Sequence, residues 1–300
     1  MIADKLNSGL VAGQYLGKLK AYFEMLKFRL SFLVVFSAAI GYMLALPGNE
    51  MNWNHFMLFL LGGFLMTGSS NIINQIIEKD SDKLMKRTAK RPLPTGRVSV
   101  PEAITLSVIM GVVGFSILIL YTNAQTALLT LLSMVLYGFA YTPMKRVSSV
   151  AVLIGAIPGA LPTLIGWVAV TDHINVEGLL LFSIQFIWQF PHFWAIAWVL
   201  DEDYKNAGIR LLPAGGEKNI NTAFQIMIYT LMLIPLGLIP AKLGITGINS
   251  AIVATVCGVL FLMQTFYLMK ECSSRAARQI MFGSFLYLPI VQIAFVLDKI

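Results

Sequence analysis

The chain is poor in charge. Only 12% of its 300 residues are Asp, Glu, Lys or Arg, about half the share of an average soluble domain, which excludes an ordinary water-soluble fold. It is poor in cysteine as well. Cys257 and Cys272 are too few and too isolated for a disulfide framework or a cysteine zinc site, and both read as packing residues. Low-complexity segments are missing, and the first 25 residues lack the apolar core and small-residue cleavage site of a signal peptide. Insertion is therefore expected to rely on the first apolar span. No stretch interleaves aromatic with basic residues, so the net charge of +7 does not imply nucleic acid as a partner.

Apolar runs are what the chain has in abundance. Hydrophobic residues make up 57% of it, and mean hydropathy is +0.74. Nine runs approach or exceed the ~20 residues a bilayer requires: 27–47, 54–77, 101–121, 125–143, 149–170, 178–200, 222–241, 247–269 and 279–297. The expected fold is an all-α membrane protein, a bundle of nine transmembrane helices in one domain over 27–300, behind an N-terminal segment 1–26. All but Lys242 and Lys299 of the 22 basic residues fall before or at the very start of the first span (Lys27, Arg29) or after the even-numbered ones. With nine spans, that distribution puts the N-terminus and the basic loops in the cytoplasm.

Two of those loops, 78–100 and 201–221, concentrate polarity. In the first, Asn74, Glu78 and Asp82 recur every four residues. On a helix they would share one face and form a polar stripe ~12 Å long. Pro92, Pro94 and Gly96 close the loop, so the helix is not expected to run far past Thr88. The second loop opens with Asp201-Glu202-Asp203-Tyr204. Charge in a membrane-protein loop is most often solvated or topogenic. Here, however, acids cluster at helix ends although Asp and Glu contribute little to orientation. Asn71 and Asn74 also lie inside an apolar run, where an unpaired amide is costly.

Carboxylates open to water bind Mg²⁺ through one or two side chains, while substrate phosphates and water complete the shell. Lys86, Arg87, Arg91, Lys145 and Arg146 supply donors for phosphate oxygens. A diphosphate leaving group needs both kinds of partner, because its departure develops negative charge. The allylic cation left behind requires an apolar, aromatic and water-poor cavity, which a helical bundle can provide. The residues alone thus point to a membrane enzyme acting on an isoprenoid diphosphate. An ion-coupled transporter is the main competitor from another class, with a membrane haem-binding protein beside it. Transporter acids usually sit near the bilayer midplane in broken helices, and here they sit at helix ends.

The stretch Asn74-x-x-x-Glu78-x-x-x-Asp82-x-x-Met85-x-Arg87-Thr88-x-x-Arg91-Pro92-Leu93 resembles the first aspartate-rich motif of the UbiA-type intramembrane prenyltransferases. Its Met85-to-Leu93 extension resembles the branch that acts on haem. Three further stretches agree in order: Tyr141-Thr-Pro-Met-Lys145-Arg146; Gly155 through Trp167; and Trp188-Gln-Phe-Pro-His192-Phe-Trp194, followed by Asp203-Tyr204 and Leu212-Pro213. The likeness covers about residues 25 to 297.

The resemblance implies helices around a central cavity in a bacterial plasma (inner) membrane, with the active site on the cytoplasmic side. It implies transfer of the farnesyl group of farnesyl diphosphate to a vinyl group of haem b, with water adding to give haem O. Haem A synthase or another oxidase-assembly protein is the partner that activity suggests. By the same likeness, Glu78 and Asp82, with Asn74 orienting, would hold Mg²⁺ and diphosphate. Arg87, Arg91, Lys145 and Arg146 would clamp phosphate oxygens, Tyr141 would face the allylic carbon, and Asp201 or Asp203 would complete a second metal-binding acid group. The chain departs from the quinone-type pattern in having Lys205 where a second Asp-x-x-x-Asp would end. Transfer to an aromatic quinone precursor or a chlorin is therefore the alternative within the class. Ala151 and Arg210-Leu211 depart from the haem branch itself. His192 is by default a packed, hydrogen-bonded histidine. Its setting between Trp188 and Trp194 also makes it a candidate for haem ligation or orientation. His55 and His173 receive no role.

Overall fold

The structure is a computed structural model that describes residues 16–48 and 50–300. Among the described residues, nine helices are long and apolar enough to cross a membrane: α1 Phe28–Ala45, α2 Trp53–Ile77, α3 Val100–Tyr121, α4 Ala124–Met144, α5 Ala151–Thr171, α6 Val176–Val199, α7 Ile220–Lys242, α8 Ile248–Glu271 and α9 Ser274–Leu297. The protein is an integral, multi-pass membrane protein, and the nine apolar runs match these helices one to one. Lys5 and residues 1–15 of the expected N-terminal segment lie outside the described residues, and 16–25 are helical.

The helix starts are written in the sequence. Asn52, Asn123, Asn175 and Asn219 each accept the N–H three residues on, opening α2, α4, α6 and α7. Ser99 and Glu102 form a reciprocal capping box at α3. The helices then pack in sequence-adjacent pairs, α2 on α3, α7 on α8 and α8 on α9, while α6 touches α5, α7 and α9. The most enclosed helix is α5. Its contact with α1 is close because glycines face carbonyls there: a Cβ on Gly41 would collide with the Thr163 carbonyl, and one on Gly166 with that of Ala38.

Six helices, α1, α2, α4, α5, α6 and α9, surround a cavity of about 540 Å³, while α3, α7 and α8 pack outside without lining it. Local irregularities aim residues into this space. Leu136–Tyr141 of α4 is a π-helical turn, a form often found at functional sites. Tyr137 and Tyr141, four residues apart across this turn, both line the cavity. In α5, Pro162 has no N–H to give the Pro158 carbonyl. That carbonyl accepts instead from the Ser133 hydroxyl on α4, at 3.3 Å.

Candidate active site

The polar stripe is present but bent. Helix α2 ends at Ile77, Glu78 caps it, and Lys79–Asp82 forms a separate helical turn. The i to i−4 pattern survives the joint: the Glu78 N–H donates to the Asn74 carbonyl at 2.9 Å, and the Asp82 N–H to the Glu78 carbonyl at 2.7 Å. Asn74, Glu78 and Asp82 are all buried and all line one end of the cavity.

Each acid faces its own cation. Lys145, from the end of α4, lies 2.7 Å from Glu78 Oε1, and Asn74 Nδ2 donates to Glu78 Oε2 at 2.9 Å and to Thr142 Oγ1 at 3.1 Å. Asp82 is fully buried, and the basic run folds back over it. Thr88 Oγ1 donates to the Asp82 carbonyl at 2.9 Å, which returns the chain so that Arg91 Nη1 reaches Asp82 Oδ2 at 2.7 Å. Asp82 Oδ1 is buried without a hydrogen-bond partner among the described residues. An orphaned carboxylate oxygen facing a cavity is costly, and it fits a divalent cation as the absent partner.

A third cation joins them. Lys27, at the entry to α1, donates from Nζ to Asn74 Oδ1 at 2.7 Å. The electrostatics differ between the lysines. Burial works against ionising Glu78, but the Lys145 ammonium outweighs it and holds the carboxyl below its ordinary value. Burial likewise works against Lys145, yet Glu78 keeps it above the ordinary lysine value. Lys27 has no carboxylate of its own among the described residues, and burial, reinforced by Arg91 and Lys145, lowers it to about 7. The site therefore holds a surplus of positive charge suited to a multiply charged anion.

Behind the ion pairs the cavity becomes apolar and aromatic. The Tyr141 ring lies 4.5 Å from Lys145 Nζ and 6.0 Å from the Phe193 ring. It rests against Gly155, where a Cβ would come within 2.6 Å of the ring. His192 lines the cavity, stacked on Trp188 with ring centroids 4.4 Å apart. Ser284 Oγ lies 2.7 Å from the Met281 carbonyl and 2.9 Å from His192 Nδ1. A serine hydroxyl that donates to the carbonyl accepts from an Nδ1–H, and that tautomer keeps a lone pair on Nε2. On one side the cavity meets the outer surface: Leu30 and Leu33 of α1 and Phe285 of α9 line it while remaining 43%, 45% and 42% exposed.

The structure brings together Asn74, Glu78, Asp82, Arg87, Arg91, Tyr141, Lys145 and His192, all of which line the cavity. Arg146 is exposed and does not line it. Asp201 and Asp203 do not line it either. Asp201 lies 2.9 Å from Lys205 and 3.4 Å from Lys218, while Asp203 accepts the Lys86 N–H at 3.4 Å. That last contact joins the two polar loops at one end of the bundle. Tyr204, in the same turn, does reach the cavity. Among the described residues, no three His, Cys, Asp or Glu side chains form a ready-made metal cluster. Sequence reasoning missed Lys27, which looks topogenic at the start of an apolar run. It also missed Gln185, Gln189 and Gln292, lining residues whose only signal was polarity inside a span.

The model of the UbiA prenyltransferase family matches residues 34–288. A protoheme IX farnesyltransferase from Cytophaga hutchinsonii is 58% identical over 281 residues, 94% of this chain and 98% of that protein. One from Flavobacterium psychrophilum is 42% identical over 282 residues, 92% and 93% of the two chains. Among solved structures, one described as a digeranylgeranylglyceryl phosphate synthase shares the fold at TM-score 0.78 and 22% identity, over 94% of this chain and 98% of its own. A UbiA homologue from Archaeoglobus fulgidus bound to GPP and Mg²⁺ does so at TM-score 0.61 and 16% identity, over 92% and 99%. The bent acid stripe, the cations around it and the aromatic cavity are thus carried on a known scaffold, and the chain belongs to the UbiA prenyltransferase family.

Proposed function

We propose that the protein transfers the farnesyl group of farnesyl diphosphate to a vinyl group of haem b, with water adding, so that diphosphate is released and haem O is formed. The observation that carries this reading is a single cavity joining a charged mouth to an aromatic, apolar interior that contains His192. The farnesyltransferase names of the 58% and 42% identical relatives support the choice of haem as acceptor. The distribution of basic residues favours the charged mouth on the cytoplasmic side, the bacterial source of the relatives favours a plasma (inner) membrane, and 27–300 would be one catalytic domain. Haem O would then pass to an oxidase-assembly protein such as haem A synthase.

Diphosphate is held by Lys27, Arg87, Arg91 and Lys145. Binding lets it replace Glu78 and Asp82 as partner of Lys145 and Arg91, so both acids become available to a divalent cation. Asp82, with its unpartnered Oδ1, and Glu78 would hold Mg²⁺, with Asn74 fixing the Glu78 carboxylate. Bound there, Mg²⁺ supplies charge neutralisation for the leaving diphosphate. Asp203 is a candidate to join from the facing loop, where it already touches the Lys86 backbone; Asp201 would first have to release Lys205 and Lys218. Arg146 is the weakest candidate for the phosphate clamp. Tyr141 turns a ring face toward the space between mouth and interior, where it can stabilise developing allylic charge as it now faces Lys145. The aromatic walls keep bulk water from the cation. His192 offers Nε2 to haem iron, which would fix the macrocycle with one vinyl edge toward the farnesyl carbon.

Purified protein reconstituted with Mg²⁺, farnesyl diphosphate and haem b is expected to release diphosphate and yield a haem heavier by one farnesyl group and one hydroxyl group. Haem binding without that product, under conditions that support an active control enzyme, overturns the reading. Prenylation of an aromatic quinone precursor in place of haem moves the protein to another branch of the family.

A further inference from the structure

Three buried glutamines line the inner cavity: Gln185, Gln189 and Gln292, each 5% exposed or less. Two of them are tied into the fold. Gln185 Nε2 donates to the Gly159 carbonyl at 2.8 Å, and Gln292 Nε2 donates to Gln185 Oε1 at 3.0 Å. Gln292 Oε1 accepts from Ser37 Oγ at 3.3 Å. Gln189 differs. It lies against Gly159, where a Cβ would come within 2.6 Å of its Nε2, and among the described residues its amide makes no hydrogen bond. Its amide faces the cavity, where a bound partner can satisfy both its donor and its acceptor.

Its position suggests which one. Gln189 lies one helical turn of α6 inward from His192 and Phe193, and Phe193 packs on Tyr141. It is therefore beyond the aromatic layer as seen from the charged mouth. Farnesyl transfer to a vinyl group breaks the bond between the prenyl carbon and diphosphate oxygen and forms a bond to the outer vinyl carbon. Positive charge is left on the inner vinyl carbon. That cation either loses a proton to give an alkene or gains water to give an alcohol. An apolar chamber contains no loose water, so an alcohol product requires a water held in place. A buried water needs two to four polar partners. The Gln189 amide offers a donor and an acceptor, and Gln185 Oε1, four residues back on the same face, has one lone pair to spare.

We propose that Gln189 holds the water that captures the cation formed on the haem vinyl group, with Gln185 as its second anchor. The inference rests on the haem farnesylation reading above. The water oxygen bonds to the inner vinyl carbon, and the released proton goes to the departing diphosphate, the strongest base the reaction produces. Gln189 is thus the residue that selects alcohol over alkene.

The product ratio tests this independently of rate. Holoenzyme with Mg²⁺, farnesyl diphosphate and haem b is run as wild type, Gln189→Met and Gln189→Glu, and the haems are separated by mass. In Gln189→Met, the ratio of dehydrated to hydroxylated farnesyl haem is expected to rise about tenfold or more. Gln189→Glu keeps the acceptor oxygen and is expected to restore the hydroxylated product. An unchanged ratio in Gln189→Met overturns the proposal, as does weaker haem binding with hydroxylation intact, which would make Gln189 a haem contact. Should Gln189→Met give no product, Gln189→Leu is read by the same ratio: a raised alkene share supports the assignment and an unchanged one overturns it. Absence of any farnesylated haem from the wild type is a failure of the functional reading itself.

Discussion

Replacing Lys145 by Met should destabilise the protein in a way that fades as pH falls. The change leaves Glu78, 7% exposed, with Asn74 alone as hydrogen-bond partner. Breaking one side of a buried ion pair typically costs about 3–5 kcal/mol. Protonation sets a ceiling on that cost. Keeping Glu78 neutral at pH 7, against its ordinary value of 4.5, costs at most about 3.4 kcal/mol, since each pH unit is worth about 1.36 kcal/mol. At pH 5.5 the same ceiling is about 1.4 kcal/mol. In the wild type Lys145 holds the Glu78 carboxyl low, so its contribution is present above the ordinary value and is lost only below it. At ~2 °C per kcal/mol for a chain of this size, the apparent midpoint should fall by roughly 7 °C at pH 7 and roughly 3 °C at pH 5.5. Unfolding in detergent is irreversible for many such proteins, so midpoints are compared at one scan rate. Adding Glu78→Gln to Lys145→Met removes both charges and should recover most of the loss. A single variant as stable as wild type at both pH values, or a double variant as unstable as the single one at pH 7, would refute the argument.

Asp82→Asn removes the charge beside the orphaned oxygen; turnover should drop about 10²-fold or more with the fold intact, and full retained activity in a reconstituted assay would count against a metal role. Lys27, lowered to about 7, should be drawn back toward its charged form by a bound prenyl diphosphate. Binding at pH 8 is therefore expected to take up protons, detected by calorimetry in two buffers of different ionisation enthalpy, and Lys27→Met should abolish the uptake. No uptake in the wild type contradicts the placement of Lys27 at the diphosphate. Ser284→Ala frees the His192 tautomer and should weaken haem binding about tenfold with a changed iron spectrum. Identical spectra for Ser284→Ala, where His192→Ala does alter them, would remove Ser284 from the role.

Much of this was legible in the chain. The nine spans follow from length and hydropathy, and Asn74, Glu78 and Asp82 announced themselves by their spacing. Spacing could not reveal the bend at Glu78, because a C-cap followed by a new turn keeps the same four-residue rhythm. It could not say which cation each acid faces either. Arg91 reaches Asp82 only because Thr88 turns the loop back, and Lys145 reaches Glu78 from another helix. Lys27 stayed hidden because topogenic and ligand-binding lysines look alike at the edge of a span. Asp201 and Asp203 stood out as an acid cluster, yet they face Lys205, Lys218 and the Lys86 backbone rather than the cavity. The glutamines were concealed by their neighbours, since periodicity cannot separate a polar residue facing a cavity from one tied to another helix.

The exposed edge formed by Leu30, Leu33 and Phe285 changes what concentration means for this protein. A cavity with a wall open to the surrounding lipid is filled from a two-dimensional solvent. Farnesyl chains and haem partition into that solvent before they reach the site, so the variable governing occupancy is mole fraction in the bilayer. Adding inert lipid or detergent at fixed total substrate should then slow the reaction by surface dilution, although nothing about the protein has changed. Rate constants expressed per litre of buffer would describe the vesicle preparation as much as the catalyst.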